Sequence, residues 1–68
     1  MDLKQLEVFA AVVSQGSFSK AAEQLFLTQP TVSAHIKKLE AELGQSLIQR
    51  NTKSLRVTAA GQRFYPYA

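Results

Sequence analysis

Apolar residues recur at helical spacing before Gly44, in three runs that glycine and small polar residues separate. The first run stops at Ser14–Gly16, where the glycine suits a left-handed helix end, and Ser17 is placed to cap the next helix. The pattern therefore predicts two short helices. Their apolar stripes are Leu6, Phe9, Ala10 and Val13 in the first helix, and Phe18, Ala21, Ala22 and Leu25 in the second.

A third helix is predicted after a break at Phe26–Thr28. Thr28 is a suitable N-cap, because Pro30 then falls in the first helical turn, where its missing N–H costs nothing. Gly44 marks the end of this helix. If the third helix crosses the first two, one core collects eight apolar residues, namely Leu6, Phe9, Val13, Ala22, Leu25, Val32, Ile36 and Leu39.

After Gly44 the apolar period changes from helical to strand-like. Residues 47–50 and 55–57 are short runs compatible with β-strands, and the turn-rich segment 51–54 separates them, so we predict a two-stranded hairpin. Thr58 is placed to cap a fourth helix, which Gly61 weakens and Pro66 ends or bends. The elements together predict a mainly α fold, a winged helix-turn-helix with a three-helix core and the hairpin as its wing.

Length and residue usage argue against an enzyme. A chain of 68 residues forms one small domain without room for a deep catalytic cleft. It has no cysteine, and its lone His35 has no partner set for metal binding or acid–base chemistry. None of its serines lies in a recognisable nucleophile motif, and no apolar segment reaches membrane-spanning length.

Positive charge is concentrated in the second half of the chain. Residues 1–27 contain two lysines and three acids, whereas residues 28–68 contain six basic residues and two acids, within a net charge of +3. Such a distribution is expected if the second half faces a polyanion such as DNA or an anionic membrane. A solvated basic surface is the alternative.

The outer face of the third helix is small and polar near its start and basic further on. Short side chains there would let the helix backbone approach base edges in a DNA major groove. Gln29 can pair with adenine, Thr31 and Ser33 can bond several bases, and Pro30 or Ala34 can contact a thymine methyl group. A merely solvated polar face is the alternative for any single helix.

The hairpin carries three cations in a compact ribbon. Arg50, Lys53 and Arg56 would lie along DNA phosphates or reach into the minor groove, as a wing does. The alternative is a solubilising hairpin in which Arg50 pairs with Glu40 or Glu42, a surface interaction that contributes little.

Residues 16–25, 28–33 and 36–44 resemble the N-terminal domain of LysR-type transcriptional regulators. Leu47, Arg50, residues 55–58 and residues 60–61 continue the resemblance through the wing. The resemblance implies sequence-specific binding of promoter DNA, with the third helix in the major groove. The chain differs from many relatives in having Ala34 in place of arginine, and Ile48 in place of an aromatic residue. From the helix face, the hairpin and the resemblance together, the candidate DNA-binding residues are Thr28, Gln29, Pro30, Thr31, Ser33, Ala34, Lys37, Arg50 and Lys53.

The resemblance also implies a larger protein. Residues 1–57 would be the DNA-binding domain, and residues 58–68 the start of a linker helix that forms a homodimer or tetramer. The expected partner is double-stranded DNA in the cytoplasm, at the nucleoid. A small-molecule effector would bind a separate C-terminal domain, and no cofactor is expected in this part.

Two other kinds of binding module were compared. An RNA-binding or general nucleic-acid module would need exposed aromatic residues for base stacking, but Phe9 and Phe18 are on predicted core stripes. A protein-interaction domain would use the aromatic residues of the last helix, Phe64, Tyr65 and Tyr67.

Overall fold

Capping side chains set where the helices begin. A computed structural model describes residues 2–50 and 55–65. Within them lie α1 (Leu3–Gln15), α2 (Phe18–Leu25), α3 (Gln29–Leu43), the strands β1 (Ile48–Arg50) and β2 (Leu55–Val57), and α4 (Ala59–Phe64). The side chains of the four residues that precede the helices each accept a backbone N–H from the first turn: Asp2, Ser17, Thr28 and Thr58. The predicted winged helix-turn-helix architecture is confirmed.

Glycine ends two of the helices, as the sequence predicts. Gly16 has φ 66° and its N–H donates to the carbonyl of Val12, and Gly44 has φ 67° and donates to the carbonyl of Glu40. Because glycine has no Cβ, it adopts this left-handed conformation without strain and turns the chain sharply. The first turn leads from α1 into α2, and the second leads from α3 towards the hairpin.

The hairpin is an antiparallel pair in the register Ile48 opposite Val57, Gln49 opposite Arg56 and Arg50 opposite Leu55. The first strand begins at Ile48, one residue later than predicted. Leu47 instead lies at the junction with α4, where its carbonyl accepts the N–H of Thr58 at 2.9 Å. The predicted turn over residues 51–54 lies outside the described residues.

The core lies where α3 packs on α1 and α2. Its largest buried side chains come from α1, from α3 and from the segment before β1, and are Phe9, Ile36, Leu39, Leu47, Val8, Val12 and Val32, while α2 contributes the small residues Ala21 and Ala22. Of the eight predicted core residues, Phe9, Ala22, Val32, Ile36 and Leu39 are buried. Their convergence confirms that α3 crosses the first two helices.

The prediction was wrong about which side of α1 faces inward. Leu6 is only half-buried, and Val13 and Leu25 are half-buried residues that pack against the edge of the core. The buried side of α1 instead carries Gln5, Val8, Phe9, Ala11 and Val12. Because α1 is apolar around most of its circumference, its spacing alone does not identify the buried side.

Gly61 lets α4 contact the start of the hairpin. This residue is buried, and a Cβ added to it would collide with the backbone oxygen of Leu47 and lie 2.8 Å from Cγ1 of Val57. From the sequence alone, Gly61 is expected only to weaken the helix. In the structure, its missing side chain is what allows the first turn of α4 to pack on the wing.

Leu39→Ala is expected to destabilise the domain by about 2–5 kcal/mol, since Leu39 is fully buried and truncation leaves a cavity. Denaturant unfolding followed by circular dichroism measures the change. Leu3→Ala is the matched control, because the same side chain is 84% exposed there and its loss should cost less than about 0.5 kcal/mol. Equal costs at the two positions would contradict the described core.

Gly61→Ala is expected to cost about 1–3 kcal/mol, because the new methyl group meets backbone that cannot move aside easily. Thermal unfolding is the measurement. Gln62→Ala, at an exposed position of the same helix, is the control and should leave the unfolding temperature nearly unchanged. A Gly61→Ala variant as stable as the unchanged chain would show that α4 does not press on Leu47.

Candidate nucleic-acid interface

One side of α3 is held in the core and the other is open to solvent. Val32 and Leu39 are fully buried and Ile36 is 2% exposed. The predicted contact residues on the remaining surface are exposed, except for half-buried Ser33: Thr28, Gln29, Pro30, Thr31, Ala34 and Lys37. Six of the seven candidate residues at the start and along the outer side of α3 are therefore exposed.

Hydrogen bonds fix the first turn of α3. Thr28 Oγ1 accepts the N–H of Thr31 at 3.3 Å and lies 2.9 Å from Thr31 Oγ1. Pro30 restricts the backbone further at the second helical position. The exposed small side chains of this turn are thus carried on a rigid backbone, which is what contact with base edges or phosphates requires.

The break between α2 and α3 contains an unusual residue. Phe26 has φ 58°, a left-handed conformation that favours glycine, and its N–H donates to the carbonyls of Ala22 and Glu23. Its side chain is 95% exposed. This feature could not be predicted from the sequence, because an aromatic residue carries no local signal for a left-handed helix end.

Two grooves border the exposed face of α3. One groove is lined by Phe18, Gln29, Pro30 and Ser33, between the start of α2 and α3. The other runs between the start of α1 and α3, and its lining is Asp2, Gln5, Pro30, Thr31, Ala34, His35 and Lys38. Lys38, which is exposed, thereby joins the same surface as the predicted contact residues, although it was not among them.

The hairpin carries part of the predicted basic wing. Arg50 closes β1 and Arg56, in β2, is exposed opposite Gln49. The side chain of Arg50, and with it the proposed pairing to Glu40 or Glu42, lies outside the described residues, as does Lys53.

The described ranges contain neither a candidate metal centre nor a candidate membrane span. Within residues 2–50 and 55–65, no three His, Cys, Asp or Glu residues cluster so that they could hold a metal ion. Over the same ranges, no helix has the length and apolar character needed to cross a membrane.

Comparison with protein families matches residues 3–62 to the bacterial regulatory helix-turn-helix proteins of the lysR family. The HTH-type transcriptional regulator BenM of Acinetobacter baylyi is 44% identical over 68 residues, which is the whole chain and 22% of BenM. The HTH-type transcriptional activator CmpR of Synechocystis is 52% identical over 60 residues, 88% of this chain and 20% of CmpR. The chain thus spans about a fifth of these relatives.

Two solved complexes have the same fold. A crystal structure of the BenM DNA-binding domain with catB site 1 DNA matches with a TM-score of 0.93 at 43% identity, over 98% of this chain and 75% of that one. The CbnR DNA-binding domain in its DNA complex matches with a TM-score of 0.94 at 36% identity, over 98% of this chain and 77% of that one. Both similar chains were crystallised with DNA.

Proposed function

The chain belongs to the lysR family of bacterial regulatory helix-turn-helix proteins, and we propose that it binds promoter DNA sequence-specifically, with α3 in the major groove. The observation that carries the proposal is the one-sided burial of α3, which leaves a rigid, small and polar first turn exposed. Its function is that of a DNA-binding domain of transcriptional regulators and not of an enzyme.

Base recognition is assigned to the start of α3. Gln29 offers an amide that can pair with adenine, and Ser33, one helical turn further on, offers a hydroxyl to a neighbouring base. Pro30 and Ala34 present small apolar surfaces of the size that a thymine methyl group contacts. The methyl side chain of Ala34 is short and uncharged, so this position adds no contact with guanine or phosphate.

Phosphate contacts are assigned to residues around this turn and to the wing. Thr28 and Thr31 carry exposed hydroxyl groups at the helix start, 2.9 Å apart, which can donate to phosphate oxygens. Lys37 adds a positive charge on the same face, and Arg50 and Lys53 add two on the hairpin, along the backbone or in the minor groove. These contacts supply affinity and register and do not depend on base sequence.

We infer further domains beyond this chain, because its relatives are about five times as long. A helix that starts at α4 would link this domain to others and form a homodimer or tetramer, and a separate domain would bind a small-molecule effector. The DNA-binding domain, over residues 1–57, would need no cofactor. The protein would act in the cytoplasm, at the nucleoid.

The two alternative binding modules find less support. Phe64 and Tyr65, two of the aromatic residues that a protein-interaction surface would use, lie 5.8 and 6.3 Å from the ring of Phe9, measured between ring centroids. Phe9 is itself fully buried and Phe18 half-buried, so neither offers an open stacking surface, and the 95% exposed ring of Phe26 is one platform where single-stranded nucleic acid uses several in succession.

Gln29→Ala and Ser33→Ala are each expected to reduce the discrimination between cognate and scrambled duplexes by about 1–3 kcal/mol, the effect of losing one good base contact. Selection from a random duplex pool provides the cognate site, and fluorescence anisotropy measures both affinities. Gln62 is an exposed glutamine on α4, and Gln62→Ala should change neither of the two affinities. Ala34→Arg should increase the affinity for DNA, because the proposal places that position against the duplex. An unchanged cognate-to-scrambled ratio in both alanine variants would exclude α3 as the reading helix.

Arg50→Ala is expected to weaken both duplexes alike and to lower the salt slope of binding by about one unit, as for one lost phosphate contact. A salt titration of each duplex measures this slope. Arg63→Ala removes the same charge from an exposed position near the other end of α3, and should leave the slope almost unchanged. If the two arginine variants lower the salt slope equally, Arg50 contributes only to the net charge of the chain and makes no phosphate contact of its own.

A further inference from the structure

A carboxylate at the far end of α3 holds the start of the hairpin. Glu40 Oε2 accepts the backbone N–H of Leu47 at 2.7 Å and that of Ile48 at 3.1 Å. The hydroxyl of Ser46 lies 3.5 Å from the same oxygen. One side chain of α3 thus bonds to consecutive residues at the point where the chain enters β1.

These hydrogen bonds are partly buried. Leu47 is 1% exposed and Ile48 7% exposed, while Glu40 itself is half-buried. Bonds from N–H groups to a charged acceptor are stronger than neutral ones, and a buried N–H that loses its acceptor is costly. The hydrophobic side chains of Leu47 and Ile48 anchor this segment in the core, whereas Glu40 fixes the direction of its backbone.

The other end of the hairpin is tied at the same place. Thr58 Oγ1 donates to the carbonyl of Ser46 at 2.6 Å, and the N–H of Thr58 donates to the carbonyl of Leu47 at 2.9 Å. Both strands therefore leave from one hydrogen-bonded junction, and the side chain of Glu40 bonds this junction to α3.

We propose that Glu40 is a positioning residue for DNA binding, which sets the wing relative to α3 through the amides of Leu47 and Ile48 without itself touching DNA. The proposal rests on the proposed function, since it requires that α3 and the wing contact one duplex. The proposal predicts that loss of the Glu40 hydrogen bonds weakens DNA binding, whereas simple electrostatics predicts that loss of its charge strengthens DNA binding. A carboxylate in a DNA-binding half of the chain repels phosphate, so on charge alone its removal would strengthen binding.

The test compares two neutral replacements of similar size in the full chain. Glu40→Gln retains an oxygen that can accept the two N–H groups, and Glu40→Met does not. We expect the Gln variant to bind a selected duplex at least as tightly as the unchanged chain. The Met variant should bind about tenfold more weakly than the Gln variant, because the N–H groups of Leu47 and Ile48 then lose their acceptor and DNA binding has to restore the position of the wing. Faster amide hydrogen exchange at Leu47 and Ile48 should accompany the loss in the Met variant alone.

A double-mutant cycle with Arg50→Ala identifies where the affinity is lost. If Glu40 positions the wing, Arg50→Ala weakens the Gln variant as much as the unchanged chain, but weakens the Met variant less, because its wing is already displaced. Should the Met variant unfold, Glu40→Asp replaces it. That variant keeps the charge and shortens the reach, so weaker binding than in the unchanged chain is expected.

The outcomes separate this role from the proposed function. Equal affinities of the Gln and Met variants, or additive effects with Arg50→Ala, would overturn the role of Glu40 and leave DNA binding intact. Failure of the unchanged chain to bind any selected duplex would overturn the proposed function, and the role of Glu40 with it.

Discussion

Val32, Ile36 and Leu39 are buried against α1 and α2, and this burial fixes how α3 is presented. A helix held along one stripe cannot rotate about its axis without moving apolar side chains into water, at a cost that approaches the whole stability of a domain of this size. The same constraint keeps the opposite stripe facing outward. The exposed residues at the start of α3 are therefore a rigid surface, although several of them make no contact with the core.

The polar network at the end of α3 complements this apolar constraint. Burial of Ile36 and Leu39 fixes the rotation of the helix, while Glu40, next along the chain, bonds to the backbone that leads into β1. Thr58 then connects the same backbone to α4. The two parts of the proposed DNA-binding surface, helix face and wing, are thus related to each other by hydrogen bonds whose geometry is more restrictive than apolar contact.

Local signals in the sequence were sufficient for the helix boundaries and for the face of α3. Thr28, Pro30 and Gly44 each affect only the backbone within a few residues of themselves. The start and the end of α3 can therefore be predicted without knowing the fold. Features that depend on distant partners could not be predicted. The bonds of Glu40 join residues seven and eight positions apart around a turn, and the close approach at Gly61 requires α4 and the segment before β1 to be placed first. The buried side of α1 was misassigned for the same reason, since apolar residues lie on several of its sides.

The contact at Gly61 has a mechanical consequence. The first turn of α4 rests directly on the backbone of Leu47, so the axis of this helix is set by the same junction that directs the wing. Any helical continuation of α4 behaves as a lever with its pivot at this contact. A helix rises about 1.5 Å per residue, so a tilt of about 10° at the pivot displaces a point about 20 residues further along by about 5 Å. A displacement of the far end of such a helix would therefore be transmitted through Gly61 and Leu47 to β1, the strand that carries Arg50.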